Sequence, residues 1–276
     1  MLSDDSRPPR VSISDGKNQV VSEVADVAGA RGIRFMRGGG SVFAHHGLIS
    51  PKVAHFAALI VDPSRLVELC RTLRDSGWHA LPPTRAQVLP PTITALERDG
   101  FDGILNLYGI IPGFFVGAQE AFEILWQLRD ETTPSGSRVP ILGKLPTVMF
   151  AAHNRLGGQW LSRQREMHFN YFLAQFRGAL STAERAELQS LARSLGAEDE
   201  VRRMLIGLDL QLDGPAAIPS DGYVAARLGL DHVTRADVWA ISVLERPRGR
   251  RAAFPGVVAA SGALLRILGA RRRLGV

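Results

Sequence analysis

The chain has very little cysteine: Cys70 is the one thiol in 276 residues. A lone thiol excludes an internal disulfide and any cysteine-built zinc cluster, and it fits a reducing compartment. Cys70 sits among Leu66, Leu69 and Leu73 and is expected to be a small core residue. Long apolar runs are also missing. Nowhere do eighteen uncharged apolar residues follow one another, and Met1 to Arg10 holds no apolar signal core, so the expectation is a cytoplasmic protein without a transmembrane segment. Three chemical signatures are absent too: Gly-x-x-x-x-Gly-Lys-Ser/Thr, His-Glu-x-x-His and Gly-x-Ser-x-Gly. Their absence removes P-loop, zincin and α/β-hydrolase readings. No repeat of solenoid period is present.

What is there describes a globular protein, with 45% hydrophobic and 22% charged residues. The length allows one large or two small domains. The formal net charge of +6 is placed unevenly. Arg246, Arg248, Arg250, Arg251, Arg266, Arg271, Arg272 and Arg273 crowd the C-terminal end. Such a segment has the charge to meet nucleic acid or an acidic membrane face. The expectation is the plainer one, a solvated arginine-rich terminus, with nucleic acid not the expected partner.

Periodicity divides the chain into four parts: a polar leader over 1–16, an α+β region over 17–145, a helical region over 146–245 and the arginine-rich segment 246–276. Apolar residues at helical spacing predict a helix from Gln19 to Ala30. Short strands are expected at Ile33–Met36, Ala57–Val61, Trp78–Leu81, Ile93–Leu96, Gly103–Ile110 and Val139–Leu142, with 132–138 a loop. Asp62 is placed as an N-cap with Pro63 at the first helical position. From Pro146 onward the pattern turns helical, with Ser181-Thr182-Ala183-Glu184 a capping box. The fold class expected is α+β, a mixed sheet flanked by helices and followed by an all-helical part.

Gly38-Gly39-Gly40-Ser41 is the first candidate ligand contact. Glycines let backbone amides approach a phosphate, and a following helix N-terminus favours an anion; the competing reading is a tight strand-to-helix turn with no ligand. Arg37 stands just before these glycines, where a cation would serve an anion, and a surface ion pair is its alternative. A three-histidine zinc site from His45, His46 and His55 is not expected, because adjacent His45 and His46 cannot both face the same way on a helix.

The order Gly38-Gly39-Gly40-Ser41, Phe56-Ala57-Ala58-Leu59-Ile60-Val61-Asp62-Pro63, Leu105-Asn106-Leu107-Tyr108 and Pro112-Gly113-Phe114 resembles a bacterial nucleotidyltransferase family of the polymerase-β superfold. The resemblance runs over roughly residues 20 to 215 and rests on order and spacing together. In that family the middle strand reads about Asp-Ile-Asp-x-Leu-Val-x-Pro and the later one Ile-Asp-Leu-His. The corresponding positions here are Phe56, Ala58 and Asn106, with Tyr108 in place of the histidine.

The resemblance therefore implies a degenerate member. The family's three carboxylates hold Mg²⁺ against the triphosphate, and Phe, Ala and Asn do not supply that set of hard oxygen ligands. No cofactor or metal is expected. The implied cleft is bordered by Arg37, Gly38, Gly39, Gly40, Ser41, Phe56, Ala58 and Asn106, and its partner is a small molecule or a protein. Three functions remain open at this point. One is a pseudoenzyme that binds in the retained cleft. Another is a metal-independent tailoring or cyclising enzyme of specialised metabolism, using His55, Tyr108, His45 or His46 as acid/base groups. The last is an active nucleotidyltransferase with replacement acids.

Overall fold

A computed structural model describes residues 13–48, 56–82, 92–101, 103–156, 163–211 and 217–245. His55 and the arginines after residue 245 lie outside the described residues. Among those described, the sheet has seven strands: β1 (Phe35–Gly38), β2 (Phe56–Val61), β3 (His79–Ala80), β4 (Ile93–Glu97), β5 (Ile104–Tyr108), β6 (Asp130–Thr132) and β7 (Val139–Ile141). Their order is β3-β4-β5-β2-β1-β7-β6. β2 runs parallel to β5 and antiparallel to β1, while β1 and β7 are parallel, so the sheet is mixed. The helices are α1 (Ile13–Gly29), α2 (Gly40–His45), α3 (Leu66–Asp75), α4 (Ala118–Gln127), α5 (Lys144–Leu156), α6 (Arg163–Ala179), α7 (Thr182–Ser194), α8 (Glu198–Gly207), α9 (Asp221–Leu228) and α10 (Arg235–Glu245). This is an α+β architecture, with seven strands and the first helices leading into a helical C-terminal half.

Alternation along the strands separates two cores. Phe35, Ala57, Leu59, Val61, Leu105 and Leu107 turn to one face, where α1 and α3 contribute Val20, Val24, Leu69 and Leu73. Met36, Ala58, Ile60 and Tyr108 turn to the other, where they join Val148, Phe150, Phe172, Leu188 and Met204 of α5 to α8 in one contiguous cluster. The helices after residue 145 thus pack directly on the sheet. A third, smaller cluster unites Phe115, Tyr223, Val224, Leu228 and Ile241.

Local signals set most of the boundaries. Asp62 accepts a hydrogen bond from the Ser64 N–H at 3.1 Å and caps a 3₁₀ turn that opens with Pro63 and leads into α3. At α7, Ser181 Oγ accepts from the Glu184 N–H and Glu184 accepts from the Ser181 N–H, the reciprocal capping box. Three features differ from expectation. α1 begins at Ile13, so the last four residues of the 1–16 leader are helical. The stretch after Leu128 contains β6, which pairs antiparallel with β7 through Asp130 and Ile141, and only then a 3₁₀ turn. α9 has no counterpart in the periodicity; its Ser220 N-cap and left-handed Gly229 C-cap enclose only eight residues.

Candidate functional site

The face of the sheet that meets α5 carries most of the cleft positions. Gly38 on β1 is opposite Ala58 on β2, and Ala58 is opposite Asn106 on β5, a row across three adjacent strands. Asn106 in turn pairs with Ala95 on β4. Gly39 lies over this row at φ 91° and ψ −165°, a conformation open only to glycine, and a Cβ placed there would come 3.8 Å from the Ala58 Cβ. Gly40 then starts α2, with Ser41 exposed beside it. The structure thus brings together Gly38, Gly39, Ala58 and Asn106, with Gly40 and Ser41 following directly. Phe56 stands two residues before Ala58 on the same strand, in register with Ile104.

The row is apolar at one end and open at the other. A Cβ on Gly38 would lie 3.2 Å from the ring of Phe150 on α5, so that helix closes over the β1 end of the row. Toward β4 the same face is uncovered: Asn106 and Ala95 are half-buried and Glu97 is exposed. A groove of about 440 Å³ lies at the β4–β5 turn, beyond the row, lined by His79, Glu97, Arg98, Asp99, Phe101, Gly103 and Ile104. His79 and Glu97 are cross-strand partners in the antiparallel β3–β4 pair. By alternation, Ile104 and Glu97 share the face of Asn106 and Ala95. Arg98 faces the other way, over the Trp78 ring and paired with Glu23 of α1.

The proposed acid/base groups do not converge. Tyr108 is in the core, 3% exposed, with its ring edge-on to Phe150 at 5.3 Å, and burial pushes its phenol up to about 12. Its charged form is therefore absent at neutral pH. His46 follows α2 on the far side of the row, where its Nε2 lies 2.7 Å from the Leu142 carbonyl oxygen. Burial lowers its pKa, and the hydrogen bond to Leu142 offsets part of that. Three strand spacings separate β5 from β7, about 14 Å, so the two groups cannot share a proton. His45 is exposed, its ring edge-on to that of His46 at 5.0 Å.

Arg37 is separated from the cleft. It alternates with Met36 and Gly38, so its side chain leaves on the α1 face, where Nη1 donates to Asn18 Oδ1 at 2.9 Å. It is 5% exposed, so it is no surface ion pair. Asp62 is engaged as well: besides Ser64 it accepts from Arg34 at 2.6 Å. Arg34 also pairs with Glu123 at 2.5 Å and lies over the rings of Phe122 and Trp126, tying β1 to α4. The sequence reading missed Arg34, His79 and Glu97. For Glu97 the signal was present in the alternation of Ile93-Thr94-Ala95-Leu96-Glu97, which puts it on the face of Ala95; His79 reaches it only through the β3–β4 pairing.

These side chains do not fit a Mg²⁺ site. On β2, β4 and β5 the described side chains of the candidate face are Ala58 and Ile60, then Ile93, Ala95 and Glu97, then Ile104, Asn106 and Tyr108, with Glu97 the one carboxylate among them. Among the described residues no group of three or more His, Cys, Asp or Glu is placed to hold a metal ion.

Among solved structures, the chain is similar to an antigenic nucleotidyltransferase-like protein from Paracoccidioides brasiliensis. The identity is 15% and the TM-score 0.41, and the alignment covers 74% of this chain and 97% of that chain. No protein-family model matches the sequence, and no curated protein matches it. Among the described residues no helix is long and apolar enough to cross a membrane.

Proposed function

We propose that this chain is a degenerate nucleotidyltransferase-like protein that does not carry out Mg²⁺-dependent nucleotide transfer and uses its cleft to bind a small molecule. The observation that carries this reading is the row Gly38, Ala58, Asn106. Hard cations of this class are held by clustered carboxylates, and this row offers one neutral amide oxygen. Gly39 and Ala58 are buried against each other and put no charge there to hold a metal.

The turn between β4 and β5 supplies the binding surface. The groove beside it, about 440 Å³, falls within the range of small-molecule sites, about 300–1,000 Å³. His79 offers an imidazole, Glu97 an anionic acceptor, and Ile104 and Phe101 apolar contact. Such a surface suits a neutral or cationic polar molecule better than a triphosphate, whose charge Glu97 and Asp99 repel.

The metal-independent catalyst remains a second reading because of one pair. His79 and Glu97 are cross-strand partners on β3 and β4 and both line the groove, whereas His46 and Tyr108 are committed to packing. This moves the acid/base role away from the histidines of α2.

Incubation with each of the four ribonucleoside triphosphates, labelled at the α-phosphate, in Mg²⁺ or Mn²⁺ tests the first reading. The expected outcome is no label transfer and no pyrophosphate above the protein-free blank. Transfer that disappears in Glu97→Gln would overturn it and establish a replacement acid instead.

A further inference from the structure

Two arginines three residues apart meet opposite conditions. Arg34 has a side chain 36% exposed and two carboxylate partners, Asp62 and Glu123. Arg37 is 5% exposed, and among the described residues its hydrogen-bond partner is the neutral amide of Asn18, with no carboxylate within ion-pair distance. A buried charge without a counter-charge costs several kcal/mol, and single buried cations are accordingly paired. A guanidinium does not escape by losing its proton, since burial brings Arg37 down only to about 10 and it stays charged at neutral pH.

The geometry shows which edge is uncommitted. Nη1 is fixed by Asn18 at 2.9 Å, whereas no described residue accepts from Nε or Nη2. That edge is the fork that takes two oxygens of a carboxylate or phosphate side by side. Asn18 holds the plane from α1, and β1 holds the stem between its neighbours β2 and β7. The fork therefore has a fixed direction before any ligand arrives. Because Arg37 leaves the sheet on the α1 face, this locus is separate from the cleft at Gly38, Ala58 and Asn106, and it stands or falls independently of the function proposed above.

We propose that Arg37, oriented by Asn18, anchors an oxyanion site on the α1 side of the sheet and takes a phosphate or carboxylate group through its Nε–Nη2 edge. The arrangement reads a planar pair of oxygens, not a diffuse negative charge. Chloride at equal ionic strength does not substitute for it. Lysine, with a point charge and no fork, does not replace the arginine.

Thermal unfolding of the full chain at pH 7 tests the site, in sodium phosphate, sodium pyrophosphate, sodium acetate and sodium citrate against sodium chloride of matched ionic strength. The wild type is expected to show a saturable rise of about 5 °C with at least one oxyanion over chloride. A rise confined to phosphate and pyrophosphate assigns a phosphoryl ligand, and one confined to acetate and citrate assigns a carboxylate. Arg37→Met is expected to unfold at a higher temperature than wild type in chloride, because an uncompensated charge is gone, and to lose the oxyanion rise. Arg37→Lys loses most of it. Asn18→Ala keeps the charge but frees the fork, and halves the rise or more, which keeps the site testable if Arg37→Met does not fold. A wild type that responds to every oxyanion as it does to chloride overturns the proposal, as does an Arg37→Met or Asn18→Ala variant that keeps the full rise, since surface arginines would then be the anion's partners.

Discussion

At the scale of single residues, two side chains that look catalytic in the sequence are structural in the fold. Tyr108 is packed edge-on to Phe150 and neutral at physiological pH. Tyr108→Phe should leave ligand binding unchanged and stability within about 1 kcal/mol of wild type, whereas Tyr108→Ala, which opens a cavity beneath α5, should cost about 3–5 kcal/mol. Chemical denaturation of both variants checks the difference, and loss of binding in Tyr108→Phe would return the phenol to the site. His46 has a signature in pH. Its folded pKa lies below the ordinary value of 6.5 because burial disfavours the imidazolium. The stability it contributes is therefore complete above 6.5 and is lost as pH falls through the lower folded pKa. Between pH 7.5 and 5, the wild-type midpoint should fall more steeply than that of His46→Gln, whose amide can still donate to Leu142. Parallel slopes would mean that the ring is not desolvated.

Elements were legible where a local rule decided them and hidden where a distant contact did. Asp62-Pro63 and the Ser181 capping box lie within single turns, so their residues announce the helix starts. Ser181→Ala should lower stability by about 1 kcal/mol. It should also weaken the environment that, chiefly through Lys144, holds Glu184 down at about 2. That stabilisation is present above about 4.5 and disappears as pH approaches 2, so acid unfolding of Ser181→Ala should begin at higher pH than in wild type. A matching acid transition would show that the cap bonds do not form in solution. β6 was invisible because Asp130, Glu131 and Thr132 carry no strand pattern and are held by pairing with β7. α1 extends back into a polar stretch that reads as a leader because Val20, Val21 and Val24 already anchor it in the core. The cleft was half legible. Gly38, Ala58 and Asn106 fall in one row across β1, β2 and β5, but that register, closure by Phe150, the turning away of Arg37 and the placing of His79 and Glu97 all depend on sheet pairing and helix docking, which residue spacing does not encode.

For the whole molecule, the sheet is a scaffold whose two faces differ. One face packs against α1 and α3 with hydrocarbon and the 5% exposed Arg37, and the other packs against α5, with a groove at the β4–β5 turn. The central claim is that the row across β1, β2 and β5 has no grip on a metal-bound triphosphate. Isothermal titration of the full chain with ATP, CTP and GTP, each with and without 10-fold excess Mg²⁺, tests it most directly. Mg²⁺ is expected to change the affinity for none of the three. Tight binding of any of them that requires Mg²⁺ would contradict it.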